Sequence, residues 1–225
     1  MTQAQYAKSA NSSVQAIAAL KASDPKLAAW ICRIGPIAVP KAQRFSLVNA
    51  LARSILYQQL SGKAAETIIG RLEVLAAESE FSPGTLARLS DAEFRSVGVS
   101  GNKAKALKSL ADHALAGALP GPRQLGKMPN QALVDMLLPI RGVGRWTVEM
   151  LLMFRLGRTD VLPVDDLGVR NGAKLVHGLS EMPKPKALAT LGEQYWAPHY
   201  TLASLYLWRV VELAKHDAKN PELSP

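Results

Sequence analysis

Cysteine is almost missing from this chain: Cys32 alone stands among 225 residues, which excludes an intramolecular disulfide, a four-cysteine zinc site and an iron–sulfur cluster held by the chain's own thiols. It sits in the apolar run "LAAWICRIG" and is expected to be buried. Histidine is sparse too. The four present, His113, His177, His199 and His216, show neither HExxH nor another close metal-ligand spacing, so neither zinc nor another transition metal is expected. Long apolar runs are also lacking. Segments such as "MLLMF" fall far short of a bilayer span, and the polar start "MTQAQYAKSANSSVQ" has no apolar core of a secretory signal, so the expectation is a soluble protein of a reducing compartment with no membrane partner. Acidic residues are in deficit, 18 against 27 Lys and Arg, for a net charge of +9. That surplus favours an anionic partner, nucleic acid ahead of a membrane surface.

Strand-like alternation is missing as well. Apolar residues recur at three and four, as in Val48, Leu51, Ile55 and in Leu202, Leu205, Trp208, which predicts an all-α chain. Helix starts are marked by Ser82 before Pro83, by a capping box from Ser90 to Glu93, and by Asn130 opening "NQALVDMLL". Gly70, inside "AAETIIGRLEVLAAE", marks either close packing or a weak point in its helix. The Pro-rich stretches "ALPGPRQLGKMPN" and "SEMPKPK" are long enough to join subassemblies, and the tail "NPELSP" is expected to fray. The length suits one large domain or two small ones sharing a cleft.

What is present in strength is a glycine turn between two helical patterns, "LPIRGVGRWTVEM". Gly142 and Gly144 can take positive φ and let backbone amides at the next helix start approach an anion such as phosphate. Arg141 and Arg145 flank the turn with positive charge, Pro139 ends the preceding helix, and Trp146 opens the next. An ordinary corner between two helices with glycine at the cap has the same local pattern. About twenty residues beyond Trp146, "VLPVDDLGVRNG" brings Asp165 and Asp166 to the mouth of another amphipathic helix, where either can serve as its N-cap.

Taken together, the hairpin, helix, loop and aspartate resemble the helix–hairpin–helix DNA glycosylases of the HhH-GPD superfamily. The block "GVGRWTVEMLLMFRLGRTDVLPVDDLGVRNG" is similar to the 3-methyladenine DNA glycosylase II, or AlkA-like, branch. "ILYQQLSGKAAETI", "VGVSGNKAKALKSLA" and "WAPHYTLASLYLWRVVE" extend the resemblance over roughly Phe45 to Glu212. The last departs from the family pattern, with His199, Tyr200 and Thr201 where an Arg-Ser pair is common.

The resemblance implies a two-lobed all-α fold with a cleft between the lobes, in a compact form without the α/β domain that longer members carry in front. The expected layout is an N-terminal helical arm over 1–44 packing with the C-terminal lobe. A helical lobe over 45–145 ends in the hairpin at about 130–155, and a C-terminal lobe over 146–225 carries the acid. By family position Asp166 is the catalytic acid, with Asp165 capping or orienting. Trp146, Trp208 and Tyr57 line the base pocket, and Gln59 or Gln58 is the wedge that fills the hole left by an everted nucleotide. Gly142, Val143, Gly144, Arg145, Arg141 and Thr147 hold a DNA phosphate. The backbone carbonyls of Leu138, Ile140 and Val143 would bind a monovalent cation, sodium or potassium; no other cofactor is implied. Trp30 and Trp196 are read as core or rim residues.

Strand-cleaving members carry a lysine in the hairpin, as in "GVGRKT", where this chain reads "GVGRWT". The resemblance therefore implies a monofunctional enzyme that releases an alkylated, cationic purine from duplex DNA and leaves an abasic site. It would act as a monomer, in the cytoplasm and nucleoid of a bacterium or otherwise in a nucleus. Two other readings stay open: a helix–hairpin–helix protein that binds DNA without chemistry, and a glycosylase of this fold for another damaged or mismatched base.

Overall fold

In the computed structural model residues 14–220 are described, and beyond Asn220 the tail expected to fray lies outside them. Among the described residues there are thirteen helices and no strand, as the spacing of apolar residues requires. Along the chain they are α1 (14–23), α2 (Pro25–Ile34), α3 (Leu47–Tyr57), α4 (Gly62–Ala76), α5 (Pro83–Arg88), α6 (Asp91–Ser96) and α7 (Gly101–Leu115). There follow α8 (Pro122–Leu125), α9 (Asn130–Leu137), α10 (Arg145–Phe154), α11 (Leu167–His177), α12 (Pro185–Tyr195) and α13 (Tyr200–Lys219).

Short polar side chains set most of the starts. Ser46, Ser61, Ser82 and Ser100 each accept the backbone N–H three residues on, and Ser90 and Glu93 form the reciprocal capping box, satisfying amides that have no partner within the helix. α9 differs slightly from expectation, because Pro129 is its cap and Asn130 its first helical residue. Left-handed residues end several helices, among them Ala77 after α4 and Gly178 after α11.

The chain divides into two compact units, residues 42–156 and the described parts of 1–41 with 157–225. The first is built on α3, α4, α5, α7, α9 and α10, whose inward residues include Leu51, Ile55, Leu72, Leu107, Leu137 and Leu152. α10 packs on α9 and α3, so the unit runs on past the hairpin instead of ending at Arg145. Val148 and Leu152 of α10 are buried, and a division inside the hairpin would part α10 from those two helices.

The second unit joins distant stretches. Leu27 and Ile31 of α2 share a core with Val169 and Ala173 of α11, Leu188 of α12, Trp196, and Tyr206 and Val210 of α13. Tyr206 ties the segment after α2 in place: its hydroxyl donates to Gly35 O at 3.1 Å and accepts from Ile37 N at 3.2 Å. Trp196 is fully buried in this core, and Trp30 packs against it with Arg33 over its ring at 5.0 Å.

Three expectations need correction. Cys32 is exposed, not buried: Leu27 and Ile31 mark the inward face of α2, and Cys32, five residues beyond Leu27, is turned about 140° from it on a helix of 100° per residue. Gly70 serves no close packing, since a Cβ built on it meets nothing within 4 Å, and α4 runs unbroken through it. Neither Pro-rich stretch separates the units. Both lie inside one unit, because proline and glycine mark turns and not the places where packing partners change.

Candidate functional site

The turn between α9 and α10 is closed by Ile140 N donating to Leu137 O at 3.1 Å and Val143 N to Ile140 O at 3.0 Å. Of the two glycines only Gly142 has positive φ, at 79°, and a Cβ there would stand 3.0 Å from that of Ala106 on α7. Gly144 is extended and caps α10 without any side-chain hydrogen bond, and its missing Cβ faces open space. The two absences act differently: one permits the turn, the other keeps its outer side open to a visitor.

Neighbouring groups brace the turn. Arg141 N donates to Ser109 Oγ at 3.2 Å, and Gln58 Nε2 donates to Gly142 O at 2.9 Å. Arg141 is exposed, whereas Arg145 reaches Gln131 Oε1 at 3.4 Å and lies 3.9 Å from Glu149. Thr147 is only 6% exposed, so its side chain faces the wall of a cavity and not the outer surface of the turn. Of the carbonyls expected to hold a cation, Ile140 O already accepts Val143 N, which leaves it one further lone pair. Carbonyl oxygens are hard donors that suit an alkali cation. Among the described residues no group of three or more His, Cys, Asp or Glu is placed to hold a metal ion.

Beside the turn, within the same unit, is a cavity of about 730 Å³. Trp146, Tyr57, Gln58, Gln59 and Thr147 all line it, with Met150 and Phe154 adding apolar wall. Trp146 is 48% exposed and Tyr57 38%, so neither aromatic is spent on the core. The Tyr57 hydroxyl donates to the Glu66 carboxylate. Gln59 follows the end of α3 with φ at 59°, a left-handed conformation unfavourable for any residue with a Cβ. Two anchors hold that bend: Gln58 on Gly142, and Lys103 Nζ, which donates to Leu56 O at 2.6 Å. Burial pushes the Lys103 ammonium below the usual lysine range.

Asp166 and Trp208 lie together in the other unit. Asp166 Oδ1 accepts Val169 N at 2.8 Å, making Asp166 the N-cap of α11, and accepts Trp208 Nε1 at 2.8 Å. The capping role expected of Asp165 therefore falls on Asp166, and Asp165 is exposed. Trp208 is not among the residues lining the Trp146 cavity.

Sequence reasoning passed over two glycines that make this arrangement possible. A Cβ on Gly168 would lie 2.7 Å from Trp208 Cδ1 and 3.1 Å from Asp166 Oδ1, and one on Gly172 would lie 2.3 Å from Leu207 O. They are one turn apart on α11, so both point at α13. The small-x-x-x-small spacing was the available signal. Thr201, in the segment that departs from the family pattern, is fully buried. Its hydroxyl donates to Arg158 O at 2.8 Å and accepts Val161 N at 3.1 Å, so it pins the loop before Asp166.

Two helices joined through a bare glycine turn define a helix–hairpin–helix protein, and a capping aspartate follows the hairpin in sequence. Comparison with known proteins makes the assignment specific. The family of HhH-GPD superfamily base excision DNA repair proteins matches residues 52–198, a span that includes the turn and Asp166. DNA-3-methyladenine glycosylase 1 of Schizosaccharomyces pombe is 38% identical over 167 residues, covering 74% of this chain and 73% of its own. Among solved structures, a DNA-3-methyladenine glycosidase from Bacillus halodurans superposes with a TM-score of 0.78 at 35% identity, over 89% of this chain and 91% of that one. The Schizosaccharomyces pombe 3-methyladenine DNA glycosylase Mag1, in complex with abasic DNA, gives 0.77 at 32% identity, over 89% and 98%. This chain belongs to the HhH-GPD superfamily of base excision DNA repair proteins.

Proposed function

We propose that this chain is a monofunctional DNA glycosylase that hydrolyses the N-glycosidic bond of alkylated, cationic purines in duplex DNA and leaves an abasic site. The observation that carries the reading is the hold on Asp166: Val169 N and Trp208 Nε1 both donate to Oδ1 and fix the carboxylate's rotamer. As the bond from C1′ to the base breaks, positive charge builds on the sugar. A carboxylate already oriented stabilises that charge and can align the water whose oxygen bonds to C1′ while the base departs.

The remaining parts have matching roles. A base inside a duplex is out of reach, so the nucleotide is everted, with Gln59 on its left-handed bend as the wedge that takes the vacated place. Trp146 and Tyr57, which line one cavity, supply faces for the base, and an aromatic face attracts a cationic ring by about 0.5 to 2 kcal/mol; the Trp208 expected beside them serves instead as the donor that holds Asp166. The amides from Gly142 to Thr147, with Arg141 and Arg145, grip a phosphate without reading sequence. A sodium or potassium ion on the carbonyls of Leu138, Ile140 and Val143 would add positive charge to that grip. Trp146 stands where strand-cleaving relatives carry lysine, so no Schiff base with the sugar forms. A monomer carries all of these groups.

Base release from alkylated duplex DNA tests the reading. Asp166→Asn keeps an acceptor for Val169 N and lowers the rate on the order of 10² to 10³-fold. Near-wild-type release by that variant, or DNA binding by the wild-type chain without release, refutes it. A borohydride-stable adduct with DNA refutes the monofunctional assignment.

A further inference from the structure

We propose that Glu66 is a specificity-determining residue whose carboxylate, set at the cavity wall by the Tyr57 hydroxyl, favours bases that carry a formal positive charge. The inference rests on the cavity beside Trp146 being the base pocket. Three charged side chains line that cavity: Arg53, Arg155 and Glu66. Arg53 is paired with Glu73 of α4, and Arg155 Nη1 donates to Gln43 Oε1 at 3.1 Å, so both guanidinium groups are turned to partners of their own. Glu66 is the one carboxylate of the lining. Ala65, Ile69 and Leu72 form the buried stripe of α4, which leaves Glu66 on the flank of the helix toward Tyr57.

The Tyr57 hydroxyl is the partner of that carboxylate. A phenol can satisfy one lone pair of a carboxylate but cannot cancel its charge. A ring methylated at nitrogen brings a full positive charge beside the tyrosine, and there the carboxylate stabilises it. A neutral lesion gains nothing from the same group. Aromatic faces also favour a charged purine, and the carboxylate adds a separate preference of similar size that an uncharged purine does not feel.

The test is a charge series at one position. Single-turnover release of 7-methylguanine from duplex DNA is timed for the wild-type chain, Glu66→Gln and Glu66→Lys, and the Kd of each for the same duplex carrying an abasic site is measured alongside. Gln keeps an acceptor for Tyr57, so a role confined to holding that ring leaves the release rate unmoved. Charge selection lowers release roughly fivefold in Glu66→Gln, the scale of one solvated charge contact, and further in Glu66→Lys. The abasic-site Kd, with no base to recognise, stays level for Glu66→Gln. An unchanged release rate in Glu66→Gln, or a parallel weakening of abasic-site binding by that variant, overturns the inference alone. Failure of the wild-type chain to release any base from methylated duplex DNA overturns the glycosylase reading, and this one with it.

Discussion

Trp208 Nε1 and Asp166 Oδ1 are joined by a hydrogen bond of 2.8 Å that crosses from α13 to the start of α11. The aspartate thus serves two donors with one oxygen, because Val169 N reaches the same atom. One bond caps a helix; the other fixes the direction of the carboxylate.

Trp208→Phe separates these duties. The cap on Val169 N survives, so the melting temperature changes little, while the carboxylate loses its second restraint. The release rate is expected to fall about tenfold under single turnover, with a smaller change in Kd for DNA, as befits loss of one hydrogen bond to a charged group. Equal rates for variant and wild type would remove Trp208 from the machinery.

Gly168→Ala acts on the same bond by crowding. Its new methyl would lie 2.7 Å from Trp208 Cδ1 and 2.9 Å from Nε1, so the indole must move. Overpacking of this kind costs about 1 to 3 kcal/mol, read by denaturant unfolding. Gly172→Ala is worse, because the 2.3 Å contact is with the Leu207 backbone oxygen and no rotamer change relieves it.

The hairpin glycines should part company. Gly142→Ala puts a side chain at φ 79° and 3.0 Å from the Ala106 methyl carbon, so stability drops by about 1 to 2 kcal/mol. Gly144→Ala meets no protein atom; alanine is the poorer N-cap but has less backbone freedom to lose on folding, so stability changes by less than about 1 kcal/mol, yet its methyl stands on the open side where the proposed phosphate contact would form. DNA affinity should therefore fall in Gly144→Ala by more than its small change in stability accounts for. Affinity measured across salt concentrations checks this.

A pH dependence follows from Asp24. Only 1% exposed, it caps α2 through Lys26 N and Leu27 N and accepts Trp196 Nε1 at 2.9 Å, with His177 Nε2 3.3 Å away but not aligned for a hydrogen bond. Burial by itself raises the pKa of this carboxyl, but His177, the Leu27 amide and Trp196 outweigh it and hold it below the usual aspartate range. A depressed carboxylate contributes stability that is fully present above its unfolded value, about 3.9, and is lost as pH falls through the lower folded value. Asp24→Asn should thus be destabilised at pH 7, and its deficit against wild type should shrink in denaturant titrations near pH 3.

Much of this was legible in the chain itself. Apolar spacing and the serine caps mark the helices, since both are local to a few residues. The hairpin was visible because glycine, arginine and tryptophan are contiguous. The Trp208 bond to Asp166 was not, because 42 residues separate its partners. Nor was the division of labour between the aspartates, since Asp165 and Asp166 can both cap a helix and only the path of the backbone selects one.

Linear order alone determined the helical class, the helix starts, the bare turn and the presence of an acid at a helix mouth, all of which follow from periodicity and short-range hydrogen bonding. Tertiary packing decided what faces what. It turned Cys32 outward, opposed Gly168 to Trp208, and set Glu66 on Tyr57, because side chains distant in sequence meet only where helices close on a shared core.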